Sequence, residues 1–229
     1  MSLITDAYNI LLERSEWFLE LTLKHLNIAL TAIFIVTLIG VPVGVFIAGK
    51  RVLSAVVLSI VNVVYTIPSI AMFGFLVAIT GIGDRSAIVA IVVYGLLPII
   101  RNTLAGLQNV DQGVIKTATA MGSTKWQLLY KIKLPLALPV IFAGFRNMVI
   151  MVIAMTGIAS FIGAGGLGVA IWRGITTYKP ELTLAGSVLV ALLAILADLL
   201  LGLVEKTFIV KAKNPRIGNL WTKIAYKNK

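Results

Sequence analysis

The chain alternates long uncharged runs with short clusters of charge. No charged residue lies between His25 and Lys50, and the 24 positions 26–49 would reach about 36 Å as a helix, enough to cross the hydrocarbon core of a bilayer. Positions 52–83 form a second uncharged run of 32 residues, roughly 48 Å of helix, more than one membrane thickness yet barely two. It is read as one span. Pro68, in Tyr65-Thr66-Ile67-Pro68-Ser69, is expected to kink or break it, because proline withdraws a helix donor and such breaks are tolerated where the backbone lines protein or a cavity. Further spans are predicted at 86–98, 136–161 and 182–205. The pattern predicts an all-α polytopic membrane protein of about five transmembrane helices.

Composition agrees. Of 229 residues, 59% are hydrophobic and 13% charged, and the mean hydropathy of +1.00 exceeds what a soluble domain hides in one core. Cysteine is absent and His25 is the single histidine, which excludes a disulfide framework, a thiol nucleophile and a His or Cys metal cluster, so no cofactor or metal is expected. The net charge of +11 could suggest nucleic acid, but its placement says otherwise. With five spans, 14 of the 20 basic residues fall on one face, in loops after the first and third spans and in the tail from Lys206. The positive-inside rule then places the N-terminus outside and the C-terminus in the cytoplasm. Two crossings within 52–83 would put those clusters outside, which the rule disfavours. The acidic flank at Asp6, Glu13, Glu16 and Glu20 and the length of the first run argue against a cleaved signal peptide. The organisation expected is an extracytoplasmic segment 1–25, a membrane domain 26–208 and a basic cytoplasmic tail 209–229. Trp17 and His25 read as interfacial anchors.

The polar, basic segment 111–135 is long for a connection and holds helix-compatible stretches divided by Gly122. Its centre, Ala118-Thr119-Ala120-Met121-Gly122, suits a short helix fitting a groove on another protein; a helical hairpin lying on the membrane fits the same residues. Ala118, Gly122, Ile132, Leu134 and Pro135 match in spacing the cytoplasmic signature of binding-protein-dependent ABC importer permeases, Glu-Ala-Ala, three residues, Gly, nine residues, Ile-x-Leu-Pro. Lys116 stands where the motif has Glu, and Thr117 where it has Ala. The chain therefore resembles that family, of type I importer fold. The resemblance implies that Lys116, Thr117, Ala118, Met121, Gly122, Ile132, Leu134 and Pro135 couple the membrane helices to an ATP-binding subunit. It implies further partners in an extracytoplasmic substrate-binding protein and a second permease subunit, in a bacterial cytoplasmic membrane. Thr66-Ile67-Pro68-Ser69, the stretch from Leu134 to Arg146 and Phe161-Ile162-Gly163-Ala164-Gly165-Gly166-Leu167-Gly168 look like the osmoprotectant branch, which imports glycine betaine, carnitine and choline. Amino-acid importers share parts of these motifs.

Gly163-x-Gly165-x-x-Gly168 fits a dinucleotide-binding pattern but lacks the preceding strand and the later acidic residue, so that reading is rejected. Gly163, Gly165 and Gly166 suit a tight turn at the outer end of the fourth span, as a gate or as structure alone. Arg146 and Asp198 lie at matching depths within the fourth and fifth spans. A charge there is costly unless paired, so an ion pair locking these spans is expected, with a translocation role as the alternative. Asn62, Tyr65, Thr66 and Ser69 surround Pro68, where they could line a path for a cation or serve as interhelical glue.

No Gly-x4-Gly-Lys-Ser/Thr phosphate loop is present, so ATP hydrolysis is expected on another subunit and the chain is expected to be no enzyme. A stand-alone secondary transporter or channel would show inverted repeats or more intramembrane acids, and an intramembrane enzyme would need a Ser/His or carboxylate constellation.

Overall fold

A computed structural model describes residues 3–213, with ten α-helices and no strand among them. The amphipathic helix α1 (Leu3–Glu13) leads into α2 (Ser15–Ile47), which runs about 50 Å at 1.5 Å per residue. Helices α3 (Arg51–Thr66) and α4 (Ser69–Thr80) flank the Pro68 break. Next come α5 (Asp84–Gln108), the short α6 (Gln112–Ala120), and α7 (Lys125–Gln127), which passes through a π-helical turn (Leu128–Lys133) into α8 (Leu134–Ala159). A 3-10 turn (Ser160–Ile162) and a glycine loop lead to α9 (Gly168–Thr176) and α10 (Pro180–Lys213). Four of the described helices are long and apolar enough to cross a membrane, five with α3 and α4 counted as one bent span.

Helix α5 is the hub, packed most closely against α2 and α8, while α10 lies on α8 and carries α1 and α9. Lipid gives no hydrophobic drive between helices, so close approach of small residues must supply the packing. The α2 seam shows it. A Cβ on Gly40 would stand 2.2 Å from Ile99 Cγ2, one on Gly44 2.6 Å from Thr103 Cβ, and one on Gly95 of α5 2.7 Å from Val36 Cγ2. On the other side of α5, a Cβ on Gly144 of α8 would meet Asn102 Cβ at 2.3 Å. The outward faces keep Leu30, Phe34, Leu38, Leu196 and Leu203 exposed, as a lipid-facing surface requires.

The spans are longer than the uncharged runs. α2 begins at Ser15, and no break occurs at residue 25, because Phe18, Leu21 and His25 continue the buried stripe while Glu16 and Glu20 stay on the opposite, exposed face. His25 is accordingly fully buried rather than an interfacial anchor. Pro98 lies inside α5, where Asn102 Nδ2 donates to its carbonyl at 2.8 Å, so the helix runs on to Gln108. Residues 214–229 of the basic tail lie outside the described residues.

Candidate functional site

The segment 111–135 is a capped helical hairpin. Asp111 starts α6 by accepting from Gly113 N at 2.6 Å and Val114 N at 3.1 Å through Oδ1. Gly122, at φ +83°, closes it, with Gly122 N and Ser123 N returning to the carbonyls of Thr119 and Ala118. Thr124 and Gln127 then form a capping box that starts α7. The π-helical turn that follows has a local cause: Pro135 has no N–H for the carbonyl of Lys131, so the ladder shifts register before α8.

Ala118 is buried in the hairpin, Ile132 and Leu134 are half-buried, and Lys116, Thr117, Met121 and Pro135 are exposed. Sequence reasoning passed over two side chains here. Trp126 and Tyr130 stack with ring centroids 5.5 Å apart and planes 12° apart, and remain 68% and 59% exposed. Their i, i+4 spacing was the available signal. Val114 and Met121 of the same segment are exposed as well, as are Lys116, Lys125 and Lys131. Exposed aromatic side chains of this kind are suited to burial against another surface.

At the Pro68 break α3 and α4 meet at 96°. Ile67 is extended (φ −66°, ψ 128°), as a residue before proline prefers, and its freed carbonyl accepts from Tyr94 Oη of α5. Tyr65 packs on Tyr94, centroids 5.7 Å apart, with its hydroxyl 3.8 Å from Met151 Sδ. Thr66 bonds back to the Val63 carbonyl at 2.7 Å. Asn62, Tyr65, Thr66 and Pro68 are exposed and Ser69 half-buried along the break. Tyr94 was not singled out from sequence, since one tyrosine in a span reads as packing.

The glycine loop lies elsewhere. Tyr94 is ten residues into α5, about 15 Å from its N-terminal end, whereas Gly83 N at that end donates to Ile162 O. Gly163, Gly165 and Gly166 all have φ between +77° and +82°. A Cβ on Gly166 would lie 3.2 Å from His25 Nδ1, one on Gly165 3.2 Å from Lys24 Cγ, and one on Gly168 only 1.8 Å from Gly157 O. The loop is thus pressed onto α2 and α8, and His25 Nε2 donates to Ile153 O at 3.0 Å beside it. Lys24 pairs with Asp84 across α2 and α5. Glu20, Lys24, Asn27, Gly165 and Gly166 line an open recess of about 660 Å³. The residues around Pro68 and the glycine loop therefore lie at different levels along α5.

Arg146 and Asp198 do meet, and a third residue joins them. Arg146 Nε donates to Asp198 Oδ1 at 2.5 Å and Nη2 to Oδ2 at 2.8 Å, a bidentate contact, while Nη1 donates to Glu205 Oε2 at 2.9 Å. Asp198 and Glu205 stand seven residues apart on one face of α10. Between them Gly202 leaves room, since a Cβ there would lie 3.3 Å from the guanidinium carbon. Glu205 escaped notice because, beside Lys206, it reads as the polar end of a span.

Residues 40–210 match the family model described as binding-protein-dependent transport system inner membrane component. The carnitine transport permease protein OpuCD of Listeria monocytogenes is 43% identical over 185 residues, covering 80% of this chain and 83% of the relative. The glycine betaine/carnitine/choline transport system permease protein OpuCD of Bacillus subtilis is 40% identical over 184 residues, 80% of each chain. Among solved structures, an inward-facing MetNI methionine ABC transporter chain is similar at a TM-score of 0.75 and 27% identity, covering 84% of this chain and 96% of that one. That similarity places the fold among type I ABC importer permeases.

Proposed function

This chain belongs to the binding-protein-dependent transport system inner membrane components, and on that premise we propose that it imports osmoprotectants of the quaternary amine type. Substrate is delivered by an extracytoplasmic binding protein. Passage is driven by a separate ATP-binding subunit, which docks on the 111–135 hairpin, and the path lies between this chain and a second permease subunit. The N-terminus is outside, consistent with the basic residues clustering at the hairpin and tail. The observation that carries the coupling reading is the hairpin itself: Gly122 in its left-handed turn, with Met121, Trp126 and Tyr130 exposed on the same capped segment. The substrate class rests on relatives named for glycine betaine, carnitine and choline transport.

Uptake of radiolabelled glycine betaine, carnitine and choline in cells stressed by salt tests the substrate class. Accumulation that depends on this chain, is competed by the three amines and is indifferent to methionine and histidine supports it. Competition by an amino acid instead moves the chain to an amino-acid importer.

A further inference from the structure

We propose that the recess beside the glycine loop is a binding site for a small zwitterion, its anionic end held by Lys24 and its cationic end by Glu20. The site is separate from the residues around Pro68, and it stands whether or not the substrate class proposed above holds.

The recess, open and about 660 Å³ in volume, is lined by Glu20, Leu21, Lys24, Asn27, Gly165 and Gly166. Glu20 and Lys24 are four residues apart on α2, on one face and in the order that favours a pair between them. They do not pair. Lys24 turns instead to Asp84 of α5, with its stem along the loop, where a Cβ on Gly165 would stand 3.2 Å from Lys24 Cγ and 3.5 Å from Cε. Its ammonium is thereby positioned at the recess. An ammonium has three donors, and the one given to Asp84 leaves two for an anion. Glu20 is exposed and has no ion-pair partner among the described residues, so its carboxylate is left for a cation.

The wall behind these two charges is backbone. Gly166, at φ +79°, brings no side chain, and a Cβ there would lie 3.2 Å from His25 Nδ1. That nitrogen is buried and unpartnered, and because Nε2 donates to Ile153 O, Nδ1 carries a lone pair and no proton. A lone pair behind the wall favours a cation in front of it over a second anion. A simple cation in the recess would meet Lys24 and a simple anion would meet Glu20, whereas a zwitterion satisfies both.

Two sources carry that chemistry. The uncharged run starts at residue 26, and Leu23, Leu30 and Phe34 are exposed on α2. The recess therefore sits where the apolar region of a bilayer begins, within reach of a phosphatidylethanolamine headgroup. A free osmolyte of the betaine type carries the same two charges.

The test uses the full chain, purified in detergent and in nanodiscs of defined lipid. Radiolabelled glycine betaine, choline and acetate are the soluble probes, and native mass spectrometry reads which lipid is retained. Glycine betaine, with both charges, should bind at least about fivefold more tightly than choline or acetate, with one each, or phosphatidylethanolamine should be retained over phosphatidylglycerol by a similar factor. The first result assigns the recess to a free solute and the second to a lipid headgroup. In either arm Glu20→Gln, at a residue that makes no ion pair in the structure, should weaken binding about fivefold, as the loss of one partly exposed charge contact does. Asn27→Trp, which fills the recess, should abolish it. Glu13→Gln, the same charge change at the end of α1, stays at wild type. Unchanged binding in Glu20→Gln or Asn27→Trp, or no preference for the zwitterion in either arm, overturns the proposal.

Discussion

Gly168 and Gly122 are both glycines for structural reasons, but the reasons differ and so do the expected effects of replacing them. At Gly168 an added carbon would stand 1.8 Å from the backbone oxygen of Gly157 and 2.8 Å from its carbonyl carbon, which cannot retreat without moving α8. Gly168→Ala should destabilise the fold by at least about 1–3 kcal/mol, seen as lower yield and melting temperature in detergent. At Gly122 nothing lies within 4 Å, and the constraint is φ +83° alone. Gly122→Ala should cost only about 1–2 kcal/mol of local strain, sparing yield while weakening retention of the ATP-binding subunit on purification.

The Arg146 cluster offers a second comparison at this scale. Arg146 gives Asp198 two bonds and Glu205 one. Arg146→Gln strands two carboxylates, whereas Glu205→Gln leaves the bidentate pair intact. Melting of purified protein should fall by roughly 3–5 °C or more for Arg146→Gln, and by distinctly less for Glu205→Gln. Equal losses would mean that the bidentate Asp198 pair contributes nothing beyond the Glu205 bond.

Among the elements, the broken span shows which force dominates. The Tyr94 to Ile67 bond satisfies one freed carbonyl, yet hydrogen bonds between membrane helices average only about 0.6 kcal/mol. Pro68, by contrast, removes a donor outright and forces Ile67 into the extended region. Tyr94→Phe should therefore leave the 96° bend in place and change stability little. Pro68→Ala should allow straightening, read as a shifted distance between spin labels on α3 and α4.

The elements also show what a sequence can and cannot tell. The Arg146–Asp198 contact follows from counting depth along two spans, because lipid penalises an unpaired charge wherever it sits. The 111–135 hairpin announces itself through polarity, Gly122 and the spaced motif. The N-terminal third of α2 does not: Glu16 and Glu20 break the uncharged run although Phe18, Leu21 and His25 keep the buried stripe going. Hydropathy averages over the helix circumference and loses a one-sided seam. Glu205 and Tyr94 were hidden for a related reason, since only the pairing of α8 with α10, and of α5 with the break, gives them partners.

For the whole molecule, the distribution of charge predicts orientation, and the absence of cysteine makes the test simple. Single cysteines at Ser123 and Thr177 need no background to be removed. A membrane-impermeant maleimide should label Thr177→Cys in intact cells and Ser123→Cys only after permeabilisation; the reverse pattern would invert the topology.

On the proposed function, this membrane chain moves substrate only when a separate ATP-binding subunit grips its hairpin. Purification in mild detergent followed by reconstitution into proteoliposomes addresses it most directly. An ATP-binding subunit should co-purify, radiolabelled glycine betaine should enter only with ATP and binding protein on their respective sides, and Trp126→Ala with Tyr130→Ala should abolish both the association and the uptake. Flux through the purified chain alone, without ATPase or binding protein, would contradict it.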